Sequence, residues 1–119
     1  MSTQTHHGSC HCGAVSYRVD LDVSQPALMC NCSMCGRSGT MLSFVPTDKF
    51  TLEKGEENLS HYKFNKHVID HLFCKTCGIK PFARGKNPKG EETVAINMRT
   101  LSDVDVFEQP TKQFDGKSR

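Results

Sequence analysis

Seven cysteines in three tight clusters constrain this 119-residue chain more than any other feature. They are Cys10-His11-Cys12-Gly13, Cys30-Asn31-Cys32-Ser33-Met34-Cys35-Gly36 and Cys74-Lys75-Thr76-Cys77-Gly78, and each cluster ends in Cys-Gly. Cysteines this close can bite a single metal ion, because a short turn aims both sulfurs inward. A glycine just after the last ligand lets that turn take a positive φ without a Cβ clash. Two clusters of two supply four thiolates, a complete tetrahedral zinc site, and the third supplies three, leaving one coordination position for another ligand. The expectation is one structural zinc and one reactive zinc.

A disulfide framework is the rival reading. The N-terminus, Met1-Ser2-Thr3-Gln4-Thr5-His6-His7-Gly8, has no basic stretch followed by an apolar one, so no secretory signal is expected. The expected compartment is therefore the reducing cytoplasm, where close cysteine pairs bind metal or do redox work. An odd count would also leave a thiol unpaired. A thioredoxin-like role for Cys74-Lys75-Thr76-Cys77 needs a neighbouring βαβ pattern, which the sequence lacks.

The length predicts a single domain, residues 1–119, with its core at about 8–107. Hydrophobic residues make up 36% of the chain, a modest share, so metal cross-links are expected to add stability that the core alone would not supply. No apolar run approaches a membrane span; the longest are pieces such as Met41-Leu42-Ser43-Phe44-Val45. Seven thiolate charges set against two Zn²⁺ take the formal net charge from +2 to −1. A near-neutral holoprotein argues against a phosphate-tracking nucleic-acid binder. The lysines of Gly85-Lys86-Asn87-Pro88-Lys89-Gly90 read as a solvated hairpin loop, since glycine and proline bracket them. Neither nucleic acid nor membrane is an expected partner.

Hydrophobic periodicity is mostly two. Val15, Tyr17 and Val19 alternate with Ser16 and Arg18, and Leu59 to Phe64 and Val68 to Phe73 follow the same rule. Met41 to Val45 and Thr93 to Asn97 read as buried strands, and Phe50 to Leu52 as a short one. Turn residues separate these segments at 22–26, 46–48, 55–58, 65–66 and 85–90. The fold class expected is all-β, a sandwich or barrel-like arrangement. Only Ser33 to Gly39 and the stretch after Arg99 predict helical turns. Residues 1–7 and about 110–119 are expected to be loose or docked only through their context.

By ligand count, Cys10, Cys12, Cys74 and Cys77 close one site and Cys30, Cys32 and Cys35 form the other. If a middle cysteine joined an outer pair instead, a half-site would be stranded elsewhere. On a strand, Cys-x-Cys would put both sulfurs on one face and send His11 to the other. Three thiolates on one zinc blunt its acidity toward water, so a zinc hydroxide is disfavoured. Such a soft site suits a fourth sulfur, a substrate thiol held as thiolate. A thiolate so held, or a cysteine thiolate itself, can attack an electrophilic carbon. The residues point to thiol chemistry on a small electrophile such as an aldehyde, with a second structural zinc as the alternative use of the same cluster.

At Gly8-Ser9-Cys10-His11-Cys12-Gly13-Ala14-Val15, at Cys30-Asn31-Cys32-Ser33-Met34-Cys35 with Gly39, at Phe73-Cys74-Lys75-Thr76-Cys77-Gly78 with Pro81-Phe82, and at Val94 to Leu101, the chain resembles the glutathione-dependent formaldehyde-activating enzymes. This is the domain shared with centromere protein V. The resemblance implies a β-tent of stacked antiparallel sheets. It implies structural zinc at Cys10, Cys12, Cys74 and Cys77, and a labile catalytic zinc at Cys30, Cys32 and Cys35. It also implies carbon–sulfur lyase chemistry, the reversible addition of glutathione to formaldehyde. Asn31 stands where a histidine is common in the family, and the chain is shorter than the founding enzyme.

Other side chains fit this frame less directly. His67 and His71 are spaced i, i+4, which suits a metal only on a helix; on the strand expected here they sit roughly 13 Å apart. They read as surface or satisfied histidines, with His71 a candidate to support a zinc ligand from outside. Arg37, Arg84 and Arg99 could fork onto ligand carboxylates, although solvated arginines are the plainer reading of each. The overall expectation is a two-zinc lyase acting on a thiol–aldehyde adduct, with glutathione and formaldehyde as the type substrates. A zinc-stabilised β-tent binding module without turnover is the alternative. A sulfoxide reductase would need a redox cysteine outside the zinc sites, and all seven are assigned.

Overall fold

Alternating apolar and polar side chains turn nearly half of the described residues into short strands. The computed structural model describes residues 3–63 and 68–118. In chain order the elements are β1 (Gln4–Ser9), β2 (Ser16–Leu21), β3 (Ala27–Cys30), α1 (Ser33–Ser38), β4 (Leu42–Pro46), β5 (Phe50–Lys54), β6 (Leu59–Tyr62), β7 (Asp70–Cys74), β8 (Phe82–Lys86), β9 (Glu92–Asn97) and β10 (Thr111–Phe114). Single 3₁₀ turns precede β5 and β6, and a third, Met98–Thr100, follows β9. The helical turn expected at Ser33 to Gly39 is α1, while the one expected after Arg99 begins earlier, at Met98.

The strands form two stacked sheets. A three-stranded antiparallel sheet has the order β1-β2-β5, and a seven-stranded sheet runs β10-β3-β4-β9-β8-β7-β6. Between them lies the main core, to which β2 contributes Tyr17, Val19 and Leu21, and the larger sheet contributes Val45, Leu72, Phe82, Val94 and Ile96. Tyr17, Phe50 and Phe82 form an aromatic knot, with ring centroids 4.6 Å apart for Phe50 and Phe82. The Arg84 guanidinium caps that knot, 5.4 Å from the Phe50 centroid and 5.3 Å from that of Phe82. A cation over two ring faces is held by their quadrupoles.

Side chains one residue away in the same strands point to the opposite face of the larger sheet. There Leu42, Ala83 and Ala95 form a second, smaller apolar cluster, joined by Leu28 and Cys35. This second face positions the site described below.

Both chain ends are docked by their context rather than loose. Gln4–Ser9 is a full strand paired with β2, and Ser102 N–H donates to His7 O at 2.9 Å. Buried His6 shares a 2.7 Å hydrogen bond between Nδ1 and Asp103. Thr111–Phe114 pairs with β3 in parallel, from Thr111↔Ala27 to Phe114↔Cys30, the one parallel pairing among the described strands. Its residues are all exposed, so no alternation marks it; backbone pairing with β3 is what orders it. The loop expected at 85–90 is a β8–β9 hairpin turn that starts two residues later, since Gly85 and Lys86 pair with Thr93 and Glu92; it is closed by Asn87 Oδ1 accepting from the N–H groups of Lys89 and Glu91. Phe64, the Asn65-Lys66 turn and His67 lie outside the described residues, so the His67–His71 pairing does too.

Candidate metal centres

Two turns from different sheets bring four sulfurs together. Cys10 follows β1 and Cys12 lies in the turn to β2, while Cys74 ends β7 and Cys77 sits in the turn to β8. Cys10 and Cys12 therefore occupy a turn, not a strand as the Cys-x-Cys spacing suggested, and His11 is exposed at its tip. The turn conformation is enforced by Cys10 N–H donating to Val15 O at 3.0 Å. Gly13 and Gly78 take φ of 82° and 79°, the positive values expected after each final ligand. The middle cluster differs: Gly36 lies within α1, and the left-handed residue is Gly39 at the helix end.

The four Sγ atoms lie within 4.8 Å of one another. Sγ of Cys12 is 3.7 Å from Sγ of Cys10 and 3.7 Å from that of Cys74. A tetrahedron with Zn–S bonds of about 2.3 Å has edges of about 3.8 Å, so the quartet fits zinc. The Asn58 amide donates to Cys74 Sγ at 3.2 Å, and Val15 N–H donates to Cys10 Sγ at 3.4 Å. The N–H of Cys77 and other backbone donors draw the Cys74 pKa down to about 6, against the pull of burial. Cys12 accepts a favourable bond from Ala14 N–H, but burial and the neighbouring sulfurs push it up to about 11. Four sulfurs this close cannot all ionise unless a cation neutralises them.

The other three sulfurs come from one short segment. Cys30 ends β3, Cys32 caps α1, and Cys35 stands in its first turn. Their Sγ atoms also lie within 4.8 Å of one another and could hold a metal ion. Cys32 Sγ accepts from Cys35 N–H at 3.3 Å, and Cys30 Sγ accepts from Cys32 N–H at 3.4 Å. Burial opposes ionisation of Cys32, but the hydrogen bonds its sulfur accepts from Cys35 N–H and from the Cys35 and Cys30 side chains prevail, and its pKa falls. Burial, with the Cys32 sulfur beside it, pushes Cys35 up to about 12.

A cavity of about 400 Å³ opens beside this trio on the second face of the larger sheet. His71 and Lys80 also line it, with Lys80 Nζ donating to His71 Nδ1 at 2.6 Å. The imidazole is therefore neutral, with its proton on Nε2. Burial and the Lys80 charge hold the His71 pKa down to about 4. Burial lowers Lys80 as well, while the charges of Cys35 and Cys32 pull it back up, so the ammonium faces those sulfurs.

A family model described as glutathione-dependent formaldehyde-activating enzyme matches residues 5–116, nearly the whole chain. The chain belongs to this family. Its cysteine clusters and its strands, but for Gln4 at the start of β1, lie within the match. Among solved structures, a Rhodobacter sphaeroides protein determined in a structural genomics effort is similar, at 32% identity and a TM-score of 0.76. The alignment covers 89% of this chain and 99% of that one.

The family fold gathers the seven cysteines as their spacing suggested, four and three. It does not gather the arginines. Arg37 donates to Ser33 O at 2.9 Å and Arg99 to Gly39 O at 2.9 Å, and neither lines the cavity. Arg84 does, although its guanidinium lies over the aromatic knot. His71 lines the same cavity as the trio and bonds Lys80. Lys80 was missed, although its place three residues after Cys77 and just before Pro81 ties it to the metal-binding turn. Also missed was Gly116, whose added Cβ would stand 2.6 Å from Cys30 Sγ. Asn31 holds the segment carrying that glycine, donating to Asp115 at 3.0 Å and accepting from Lys117 N–H at 2.9 Å.

Proposed function

We propose that this chain is a carbon–sulfur lyase that reversibly adds a small thiol to an aldehyde, with glutathione and formaldehyde as the type pair. We assign a structural zinc to Cys10, Cys12, Cys74 and Cys77, and a second, reactive zinc to Cys30, Cys32 and Cys35. Zinc bound to three thiolates supplies a soft centre that accepts a further sulfur as thiolate. The reaction itself is simple to balance. The thiol loses its proton, sulfur forms a bond to the carbonyl carbon, the C=O π pair moves to oxygen, and that oxygen gains a proton. Lysis runs the same steps backward.

The chain's own groups suit these steps. Lys80 faces the sulfurs and can stabilise the developing oxyanion, then hand it a proton. His71 fixes the ammonium through the 2.6 Å hydrogen bond and stays neutral, so it accepts without repelling. The observation that carries the reading is the meeting of three sulfurs and one half-buried ammonium at one end of a cavity. Free thiolates at this density belong with a reducing, cytoplasmic setting.

The test is exchange between free and hydroxymethylated glutathione, followed by NMR, with zinc content measured in parallel. Cys32→Ser should stay folded, keep about one zinc per chain and lose at least ~100-fold in exchange rate, because a hydroxyl is a harder and weaker zinc ligand. If wild type gives no acceleration with glutathione or any other small thiol, the protein is a zinc-stabilised binding module instead.

A further inference from the structure

The cavity floor is built from small residues. Ala83, Gly85, Thr93 and Ala95 line it, and cross-strand pairing sets them side by side: Ala83 opposite Ala95, Gly85 opposite Thr93. One row across four strands reads Phe44, Ala95, Ala83, His71. With strands about 4.8 Å apart, that row spans roughly 14 Å. The hollow exists because alanine and glycine occupy positions where the opposite face of the same strands carries Phe82, Val94 and Ile96.

Its rim is apolar and exposed. Of the large hydrophobics that stand exposed among the described residues, Phe44 (56%), Ile69 (48%) and Phe114 (37%) all line this one hollow. They come from three separate parts of the chain, and large apolar side chains gathered in water mark a binding surface. Formaldehyde brings a single carbon and fills almost none of the space. The charged arms of glutathione gain nothing against the alanine floor, where burying an ionised group costs more than it returns; Arg84 and Lys86, which also line the cavity, are the groups a carboxylate would meet. Lys80, which feels the charges of Cys32 and Cys35, shares the lining with the trio and bonds His71.

We propose that the cavity receives an apolar substituent on the aldehyde half of the adduct, an alkyl or aryl group of about five or more carbons. This rests on the lyase reading above and narrows its substrate class. The thiol sulfur and carbonyl oxygen lie at the Cys32 and Lys80 end, and the hydrocarbon lies along Ala83 and Ala95 toward Phe44. A hydrocarbon of that size leaves water for a floor and rim able to cover it, which favours binding in proportion to the area buried.

Two measurements test it on the full-length, zinc-loaded protein. The first is calorimetric binding of two unreactive thioethers, S-methylglutathione and S-hexylglutathione, and needs no turnover. The second is adduct exchange with glutathione and either formaldehyde or hexanal. The hexyl thioether should bind at least ~30-fold tighter than the methyl one, since each buried methylene is worth about 0.8 kcal/mol. Hexanal should be the better exchange substrate. Ala95→Leu fills the floor and should bring the hexyl-to-methyl affinity ratio close to one, with zinc content and melting temperature checked. Ala83→Val makes the same test should that variant fold poorly. Equal affinities for the two thioethers, together with exchange accelerated for formaldehyde, overturn this inference and leave the lyase reading standing. No acceleration and no binding overturn both. A dimer in sedimentation that Ala95→Leu disperses, with no preference between thioethers, also overturns it, because a second copy would then be the occupant.

Discussion

Gly116→Ala probes how tightly the C-terminal segment is fitted over the cysteine trio. The new Cβ would stand 2.6 Å from Cys30 Sγ and 3.3 Å from Cys32 Cβ. Nonbonded heavy atoms settle at about 3.5–4.0 Å, so one side must yield by about 1 Å. If the segment lifts, Asn31 loses its bonds with Asp115, with Lys117 N–H and with Phe114 O, and the parallel pairing of β10 with β3 loosens. Exposed hydrogen bonds are worth about 0.5–1 kcal/mol each, giving about 1.5–3 kcal/mol before the strand pairing is counted. If the sulfur yields, zinc ligation suffers, because such sites tolerate only about 0.2 Å of error. Disturbing the groups that orient a ligand typically costs 10–100-fold in affinity, about 1.4–2.7 kcal/mol. Moving the sulfur is the cheaper course. Chelator competition should therefore show the trio's zinc bound at least ~10-fold more weakly in Gly116→Ala, with the zinc of the four-cysteine site unchanged. Equal zinc affinity, with equal amide exchange at residues 114–117, would show that the close approach does not exist and refute the reasoning.

Cys74→Ser should remove a ligand from a site coupled to folding, lowering the melting temperature by more than about 10 °C or abolishing soluble protein; full zinc content with unchanged melting is the contrary result. Lys80→Met should cut exchange by ~10²-fold or more while both zincs stay bound, and a variant as fast as wild type would remove Lys80 from the reaction. The His71 ring should stay neutral until about pH 4, as read from its NMR resonances, against an ordinary value of 6.5. Because the fold holds that pKa down, the unfolded chain binds the extra proton between those values. The His71 contribution to stability is therefore full above about pH 6.5 and drains away as pH falls toward 4. A ring midpoint near 6.5 would show that neither burial nor Lys80 acts on it.

Sequence carried the parts of this protein that depend on local chemistry. Thiol spacing announced both cysteine sites, and the alternation of Val15, Tyr17 and Val19 with polar neighbours announced β2 before any contact was known. What it hid depends on partners far along the chain. Thr111–Phe114 has four exposed residues and no pattern, and becomes a strand only because Ala27–Cys30 offers it an edge. Cys10 and Cys12 looked like a strand pair because spacing alone cannot separate a strand from a turn that returns its N–H to Val15 O. The cavity was invisible for a related reason. Ala83, Gly85 and Ala95 are unremarkable as letters, and mean something only when register aligns them across two strands.

The two clusters also differ in what they ask of the chain, and this sets their division of labour. Cys12 and Cys74 meet across 62 residues and join the end of the small sheet to the large one. Cys30, Cys32 and Cys35 lie within one strand end and one short helix. By the chain-entropy relation for cross-links, closing the long loop removes about 4 kcal/mol of unfolded-chain freedom, and closing a loop of six residues about 2 kcal/mol. An ion in the quartet thus restrains the whole unfolded chain, whereas an ion in the trio restrains little beyond its own loop. The trio also sits outside the main core, on the face that carries the cavity. Its ligands can exchange, open or take up a substrate sulfur while Tyr17, Phe50 and Phe82 stay packed. On the function proposed above, reactivity is located where the fold has least to lose.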